Sequence, residues 1–440
     1  MKLRVNREAL LEACQSAGAA LPARAVREVL ACFRLDARED RLTLTAFDME
    51  LGIRQELRGV EVVRPGSVLL PATQLTQILR ESRADGVELE AAPSSSGPAV
   101  EVEGPLPTAI LRCDGPGGSA KFELPQRPVE EFPELPEGND PQEIVVEGLA
   151  GQFREMIRRT LFAIPKRDVT DRYAFKGLLW DTGTAEGSGG PAGSGSTSSL
   201  SLRLVGTDGK RLALCEAAVT VPTKPSSSGV QLPPLVPARA MTLLERILTH
   251  DGEVVRACLG VNDVRFLTER ATIYTTLVQG RFPPYRDILK KTEKEAKIKI
   301  PLPLEEFLSA VRQIRVMTDE ESRRVDISFR PGMAVLEGRG PATGSGQVEL
   351  PLPDFAGPAI RVAFDPDFLI EYLNIARNEP VEPPPAADSQ PSPLTLELIA
   401  ADKPALFRFS GGSGSPSRGG TPAGVSRWIY LVMPMAVENR

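Results

Sequence analysis

The feature that most constrains this chain is one short pattern that occurs six times. A strand-like apolar run leads into a Pro, Asn or Asp, or once, more weakly, a Leu. An apolar residue follows four positions later, with more apolar residues seven and eight positions on. The anchors are Asn6/Leu10, Pro71/Leu75, Leu149/Phe153, Pro237/Met241, Pro303/Phe307 and Asp365/Leu369. The trailing pairs include Ile78–Leu79, Met156–Ile157, Ala310–Val311 and Tyr372–Leu373. A strand that enters a helix at Pro, followed by apolar residues at helical spacing, predicts a capped amphipathic helix packed on a sheet. Six such units predict a modular ring or array, not a single pocket cut into one core.

The copies come in pairs. Their anchors lie 65 residues apart (6 to 71), 88 apart (149 to 237) and 62 apart (303 to 365). The long middle pair holds a Gly/Ser-rich stretch, Thr182 to Ser199, that reads as an insertion. Pair starts at 6, 149 and 303 fall about one domain length apart, so 440 residues predict three domains of two repeats each. Four further low-complexity islands, Pro93–Pro98, Ser226–Gly229, Pro383–Pro393 and Gly411–Gly424, fall where hairpin tips would lie. Such tracts cannot bury apolar area and are expected to be mobile, tolerated insertions. Between them the chain alternates as strands do, at Leu42–Phe47, Leu200–Val205, Ile273–Val278 and Val325–Phe329. The expected layout is α+β, with several antiparallel strands and two helices per domain.

Composition narrows the function. Hydrophobic residues make up 41% of the chain, enough for ordinary cores, and no apolar run approaches the ~20 residues of a membrane helix. The N-terminus runs straight into the first repeat, so no signal peptide is expected. Five scattered cysteines (Cys14, Cys32, Cys113, Cys215, Cys258) without a C-x-x-C pair fit reduced thiols in a cytoplasm. One histidine, His250, sits in a turn-like Leu-Thr-His-Asp-Gly. A histidine-based triad would need it, and the usual zinc ligand sets are missing. Gly115-Pro-Gly-Gly-Ser-Ala-Lys lacks the Gly-Lys-Ser/Thr ending of a phosphate-binding loop. No spacing nominates a carboxylate pair for acid/base work. Neither catalysis, a cofactor nor a metal is expected.

The basic residues are more informative. On the helix expected at 149–162, Leu149, Phe153, Met156, Ile157, Thr160 and Leu161 share one arc, with Arg154 and Arg158 just outside it and Arg159 further round. Arg80, Arg239, Arg246, Arg312 and Arg377 likewise lie off the apolar stripes of other repeat helices. Singly, each is an ordinary solvated helix face. Collected on one wall by a repeat architecture, they would line a path for phosphates. Aromatics are only 5% of the chain, which favours a duplex backbone over stacked single strands. A net charge of −6 allows a basic strip on an acidic body.

Three ordered segments carry a family resemblance: Val205-Gly-Thr-Asp-Gly-Lys-Arg-Leu-Ala-Leu214, Gln279-Gly-Arg-Phe-Pro-Pro-Tyr-Arg-Asp-Ile-Leu289, and the tail Tyr430-Leu-Val-Met-Pro-Met435. With Met1–Val5, Thr45–Leu51 and Asp171–Gly177, they resemble the bacterial sliding clamps, the beta subunits of DNA polymerase III. The resemblance spans the chain and is weakest in the last third. It implies clamp domains at 1–136, 142–291 (with the 182–199 insertion) and 297–440. It further implies a head-to-tail homodimeric ring, helices inside and sheets outside. Such a ring encircles duplex DNA without reading its sequence and acts in DNA replication as a processivity factor in the cytoplasm. The implied partners are the polymerase III catalytic subunit, the clamp loader and other proteins with clamp-binding peptides.

By position, the resemblance assigns Arg24, Arg80, Arg172, Tyr173 and Arg239 to DNA, and more approximately Lys166 and Arg167, beside Arg154 and Arg158 from the helix wheel. It assigns a partner-peptide cleft to Phe175, Thr207, Gly209, Lys210, Arg211 and Leu212, to Pro283 and Ile288 in a strand-like linker region, and to Leu431, Met433, Pro434 and Met435. Met, Leu, Ile and Pro make an adaptable apolar pocket. Taken alone, Thr-Asp-Gly-Lys is also an ordinary hairpin turn, and Met-Pro-Met ordinary core. Two departures bear on partner choice: Lys210 stands where the family commonly has His, and the chain runs on past Met435 as Ala-Val-Glu-Asn-Arg; a third, Ala174, stands in the DNA-facing loop where an aromatic is frequent. Two other readings are a clamp-fold peptide scaffold that does not encircle DNA, and a hydrolase with a carboxylate pair between domains.

Overall fold

The computed structural model describes residues 1–91, 107–115, 118–137, 143–166, 175–183, 198–221, 233–319, 323–379, 394–409 and 425–436. The four low-complexity islands, most of the 182–199 stretch, and Arg167, Arg172, Tyr173 and Ala174 lie outside them. The strands Gly177–Gly183 and Ser198–Thr207 pair antiparallel on either side of the inserted stretch.

Among the described residues are seven α-helices, and six begin one residue after a predicted anchor. These are α1 (Arg7–Ala17), α2 (Ala72–Glu81), α3 (Ala150–Leu161), α4 (Ala238–Ile247), α6 (Leu304–Arg315) and α7 (Pro366–Arg377). The anchors act as the sequence pattern requires. The Asn6 side chain accepts from the Ala9 N–H at 3.0 Å and the Asp365 side chain from the Asp367 N–H at 2.9 Å, each satisfying an orphan donor. Pro71 and Pro303 enter α2 and α6 in extended backbone, with no side-chain cap. The apolar positions are buried: Leu10, Leu75, Phe153, Met241, Phe307 and Leu369 have no exposed area. Each such side chain contributes about 1.5–3 kcal/mol of burial.

The seventh helix, α5 (Tyr285–Glu295), was not among the predicted repeats. It places Ile288 on a helix, correcting the strand-like reading of that region. The reason is local: Pro284 enters it, and Tyr285, Leu289 and Thr292 recur at helical spacing as its buried face.

The chain divides into two compact units. The first gathers Met1–Ala150 and Arg239–Leu277; the second gathers Gly151–Thr220, Leu232–Ala238 and Val278–Arg440. In the first, one five-stranded sheet runs, in spatial order, Glu61–Arg64, Lys2–Asn6, Gly86–Ala91, Thr108–Gly115, Gly118–Pro125. A second, antiparallel ladder runs Ile144–Leu149, Val254–Leu259, Asp263–Leu267, Ala271–Thr276, Leu51–Arg58, Arg41–Phe47, Cys32–Arg38, Gly66–Pro71. The second unit repeats the scheme. Its four-stranded sheet runs Gly344–Leu352, Gly332–Gly340, Val325–Arg330, Ile360–Phe364. Its ladder includes Ile298–Leu302, Leu394–Leu398, Ala405–Phe409, Val425–Val432 and Arg211–Val221.

All five cysteines are buried and unbridged. Burial pushes the Cys14 and Cys215 thiols up to about 12, so neither is a nucleophile near neutral pH. His250 lies exposed in the turn after α4, where its carbonyl accepts from the Glu253 N–H at 3.1 Å.

An ionic cluster ties α3 to the end of α7 inside the second unit. Glu379 has a fully buried side chain and accepts from Arg158 at 2.6 Å and from Arg159 Nε at 3.2 Å. Glu155 pairs with the same two arginines, at 2.7 Å and 2.6 Å. The Arg159 guanidinium also lies 5.2 Å from the Trp428 ring centroid, and the Trp428 indole donates to the Arg159 carbonyl at 3.1 Å.

Carboxylates of this kind predict an acid transition. Burial raises the pKa of Glu155, Glu216 and Glu293, but neighbouring arginines outweigh it and hold all three below the usual range. A depressed carboxylate stabilises the fold above its unfolded pKa of about 4.3 and loses that contribution as pH falls through the folded value. Glu379, pushed up by burial, works the other way, one group against three. The melting temperature of the second unit is therefore expected to hold from neutral pH to about 4.5 and to fall below it. A melting temperature unchanged down to pH 3 would refute this.

Candidate functional site

Twelve positions were assigned to a cleft, and all belong to the second unit. Its floor is a buried apolar cluster of Leu179, Val205, Leu212, Leu214, Leu235, Tyr285, Leu289, Leu406, Ile429 and Leu431, with Val278 and Phe282 half-buried against it. Alternation along the strands explains the set. Leu212 and Leu214 share one face of Arg211–Val221, and Ile429 and Leu431 the matching face of the strand paired with it. Two exposed apolar side chains adjoin this floor. Ile288, beside Leu289 on α5, and Met433, two residues past Leu431, are each 41% exposed. Exposed large apolar groups next to an apolar cluster are what a peptide-binding groove presents.

The turn at 207–210 is rigidly built. The Thr207 hydroxyl accepts from the Gly209 N–H at 3.1 Å and donates to the Arg211 carbonyl at 2.5 Å. One Asp208 carboxylate oxygen accepts the N–H groups of Lys210 and Arg211, both at 2.9 Å. Gly209 has φ +85°, and a Cβ there would stand 3.3 Å from the Phe175 ring. Both the backbone region and the space favour glycine. Phe175 lies buried beneath the turn, and Lys210 projects from it, exposed. The tail is fastened at two points: the Met433 N–H donates to the Lys210 carbonyl of this turn and the Met435 N–H to the Ala363 carbonyl of the strand Ile360–Phe364, each at 2.8 Å. Pro434 and Met435 are half-buried.

Arg211 is placed differently from its neighbours. By strand alternation it faces away from Leu212 and the apolar floor. Its guanidinium pairs with Asp208 at 2.9 Å and Glu371 at 2.6 Å, donates to the Phe162 carbonyl at 2.8 Å, and lies 4.3 Å from the Phe368 ring centroid. The arrangement makes it a strut between this strand and α7. The start of α5 is anchored as well. Arg286 Nε donates to Asp181 at 2.9 Å, and Tyr285 donates to the same carboxylate. Burial and that carboxylate push the Tyr285 phenol up to about 12.

The residues assigned to DNA divide between the units. In the first, Arg24 is exposed in the loop after α1, and Arg80 of α2 shares an open hollow of about 610 Å³ with Arg246 of α4. Arg239 is engaged, pairing with Asp48 at 2.7 Å and donating to the carbonyls of Ala19 and Leu21, both at 3.0 Å. In the second, Arg154 is half-buried, Arg158 belongs to the Glu155–Glu379 cluster, and exposed Lys166 pairs with Glu371. The helix wheel located these arginines correctly on α2, α3 and α4 but carries no information on their acidic partners.

Sequence reasoning missed most of the floor, including Leu179, Leu235, Leu406 and Ile429. Two signals were present. Phe282, Tyr285 and Leu289 stand inside a quoted motif at helical spacing, and Val205 opens another.

A two-unit α+β fold with repeated helix pairs and this buried apolar cluster can now be set beside known proteins. The family models described as the N-terminal and central domains of the DNA polymerase III beta subunit match residues 1–136 and 150–284. The beta sliding clamp of Pseudomonas putida is 24% identical over 435 residues, covering 99% of this chain and 100% of its own length. That of Chlamydia muridarum is 25% identical over 384 residues, covering 87% and 92%. The crystal structure of the Bartonella birtlesii clamp bound to griselimycin superposes with a TM-score of 0.76 at 20% identity, over 99% of this chain and 100% of that one. The fold is the sliding-clamp fold. The chain belongs to the DNA polymerase III beta subunit family, the sliding clamps of bacterial replication, whose members are non-catalytic processivity factors.

Proposed function

We propose that two copies of this chain close head to tail into a ring that slides on duplex DNA and tethers the replicative polymerase. The observation that carries the reading is a pair of open sheet edges. Gly118–Pro125 ends the five-stranded sheet and Gly344–Leu352 ends the four-stranded one. An unpaired edge invites another strand, and pairing one edge with the other on a second copy is a head-to-tail contact that closes. Phe122 keeps the register of buried Leu124 but is left 36% exposed, with no strand beyond it among the described residues.

In this reading the domains are 1–136, 142–291 and 297–440. The residues assigned to the duplex are Arg24, Arg80, Arg154, Arg158, Lys166, Arg167, Arg172, Tyr173 and Arg239, and the arginines with acidic partners contribute least. Phosphate contacts there need only be weak, since closure and not affinity retains the ring. The cleft from Phe175 to Met435 takes clamp-binding peptides of the polymerase and the clamp loader, in the cytoplasm, and the ring catalyses nothing.

Retention on nicked circular DNA after loading by a clamp loader, measured before and after linearising the circle, tests the proposal. Retention on circles with loss from free ends is expected. Equal retention on both forms would mean ordinary binding. No retention with a competent loader would favour a scaffold that does not encircle DNA.

A further inference from the structure

The two sides of the apolar cleft carry cations with no acidic partner among the described residues. On one side Lys210 projects exposed from the rigid 207–210 turn. The one acidic residue of that turn, Asp208, is already taken by Arg211 and two backbone N–H groups. On the other side, the linker and α5 present exposed Arg281, Lys290, Lys291 and Lys294. One acid of the same helix is committed elsewhere: Glu293 turns to Arg408 at 2.7 Å and to Arg427. Lys291 sits one helical turn from Ile288, so charge and exposed apolar surface share a flank of α5. Two exposed acids remain on this helix, Asp287 and Glu295, against the three lysines. In a chain whose net charge is −6, this local excess of positive charge stands beside a groove suited to a peptide.

We infer that the basic rims formed by Lys210 and by Lys290, Lys291 and Lys294 select partner peptides whose clamp-binding segment is flanked by acidic residues. The inference rests on the cleft reading and deepens it. The apolar floor would hold the peptide's leucine or aromatic side chains in any partner, while the rims would discriminate among partners by the charge outside that segment. Exposed ion pairs are individually weak, so the effect depends on several acting together and is screened by salt. Four such pairs amount to about tenfold in affinity.

The test uses the full chain and fluorescein-labelled peptides carrying a glutamine followed by leucine and aromatic residues, bare or extended by four glutamates or four lysines. Anisotropy titrations at low salt should show the glutamate-extended peptide binding about tenfold more tightly than the bare one, with the lysine-extended peptide weaker. The advantage should shrink in high salt. In the triple variant Lys290→Ala/Lys291→Ala/Lys294→Ala, none of them a cleft position, it should largely vanish, while the bare peptide keeps its affinity. Bare-peptide binding with no gain from glutamates, or a gain that survives in the variant, overturns this proposal alone. Failure of every peptide to bind overturns the cleft reading and this proposal with it. Displacement of the glutamate-extended peptide, but not the bare one, by a short DNA duplex would assign the rims to nucleic acid and overturn it too.

Discussion

Replacing Glu379 with alanine is expected to lower the melting temperature of the second unit by about 6–12 °C. The side chain is fully buried and is shared by Arg158 and Arg159, and Arg159 is itself only 8% exposed. Removing one partner of a buried ion pair leaves the other charged and poorly solvated, at a cost of about 3–5 kcal/mol. Glu155 still contacts Arg159 at 2.6 Å, which holds the expected loss near about 3 kcal/mol. In a unit of this size, each kcal/mol moves the melting temperature by about 2–4 °C. Changing Arg159 to methionine in the same chain should recover much of the loss, because the orphaned charge leaves with it and the new side chain can pack on Trp428. Thermal unfolding followed by circular dichroism checks both. A shift of under 2 °C for the single variant would mean that Glu379 is not the counter-charge the geometry makes it.

Changing Phe122 to aspartate is expected to weaken self-association by at least about 30-fold without unfolding the chain. A large apolar anchor at the centre of an interface typically costs 2 kcal/mol or more when lost, and each 1.4 kcal/mol is tenfold. The side chain is already 36% exposed, so the folded monomer loses little. The opposing edge in the proposed closure, Gly344–Leu352, carries half-buried Val348 in register with buried Leu350, a matching apolar contact left open in the same way. Sedimentation velocity across a dilution series reads the association, and circular dichroism the fold. An unchanged dimer would place ring closure elsewhere, and a monomeric parent chain would remove it altogether.

Much of the fold was legible because its signals are local. Asn6 and Asp365 cap the helices that follow them, and prolines enter α2 and α6, for reasons contained within a few residues. Alternation at Val325–Phe329 gave a strand because one face of it is buried, while Leu42–Phe47 alternates at its start and is buried on both faces from Thr45 to Phe47. The missed helix, α5, shows the limit of a template. Its Tyr285, Leu289 and Thr292 spacing was present, but it lies outside the repeat, and the resemblance drew the segment toward a strand-like linker.

The sequence by itself determined where helices start, which faces are apolar, and which segments, 205–214, 279–289 and 430–435, carry the family resemblance. Only the tertiary structure decided what each polar side chain does. Arg158, Arg159 and Arg239 are equally basic in sequence, yet Glu379, some 220 positions from Arg159, and Asp48, 191 from Arg239, neutralise them in space. Arg211 and Lys210 are neighbours in sequence, yet one is a buried strut to Glu371 and the other stands exposed at the 207–210 turn. The reason is physical. Capping and amphipathic periodicity are set by bonds spanning a few residues, whereas the partner of a charge is set by which distant surfaces burial brings together, a choice no short window of sequence contains.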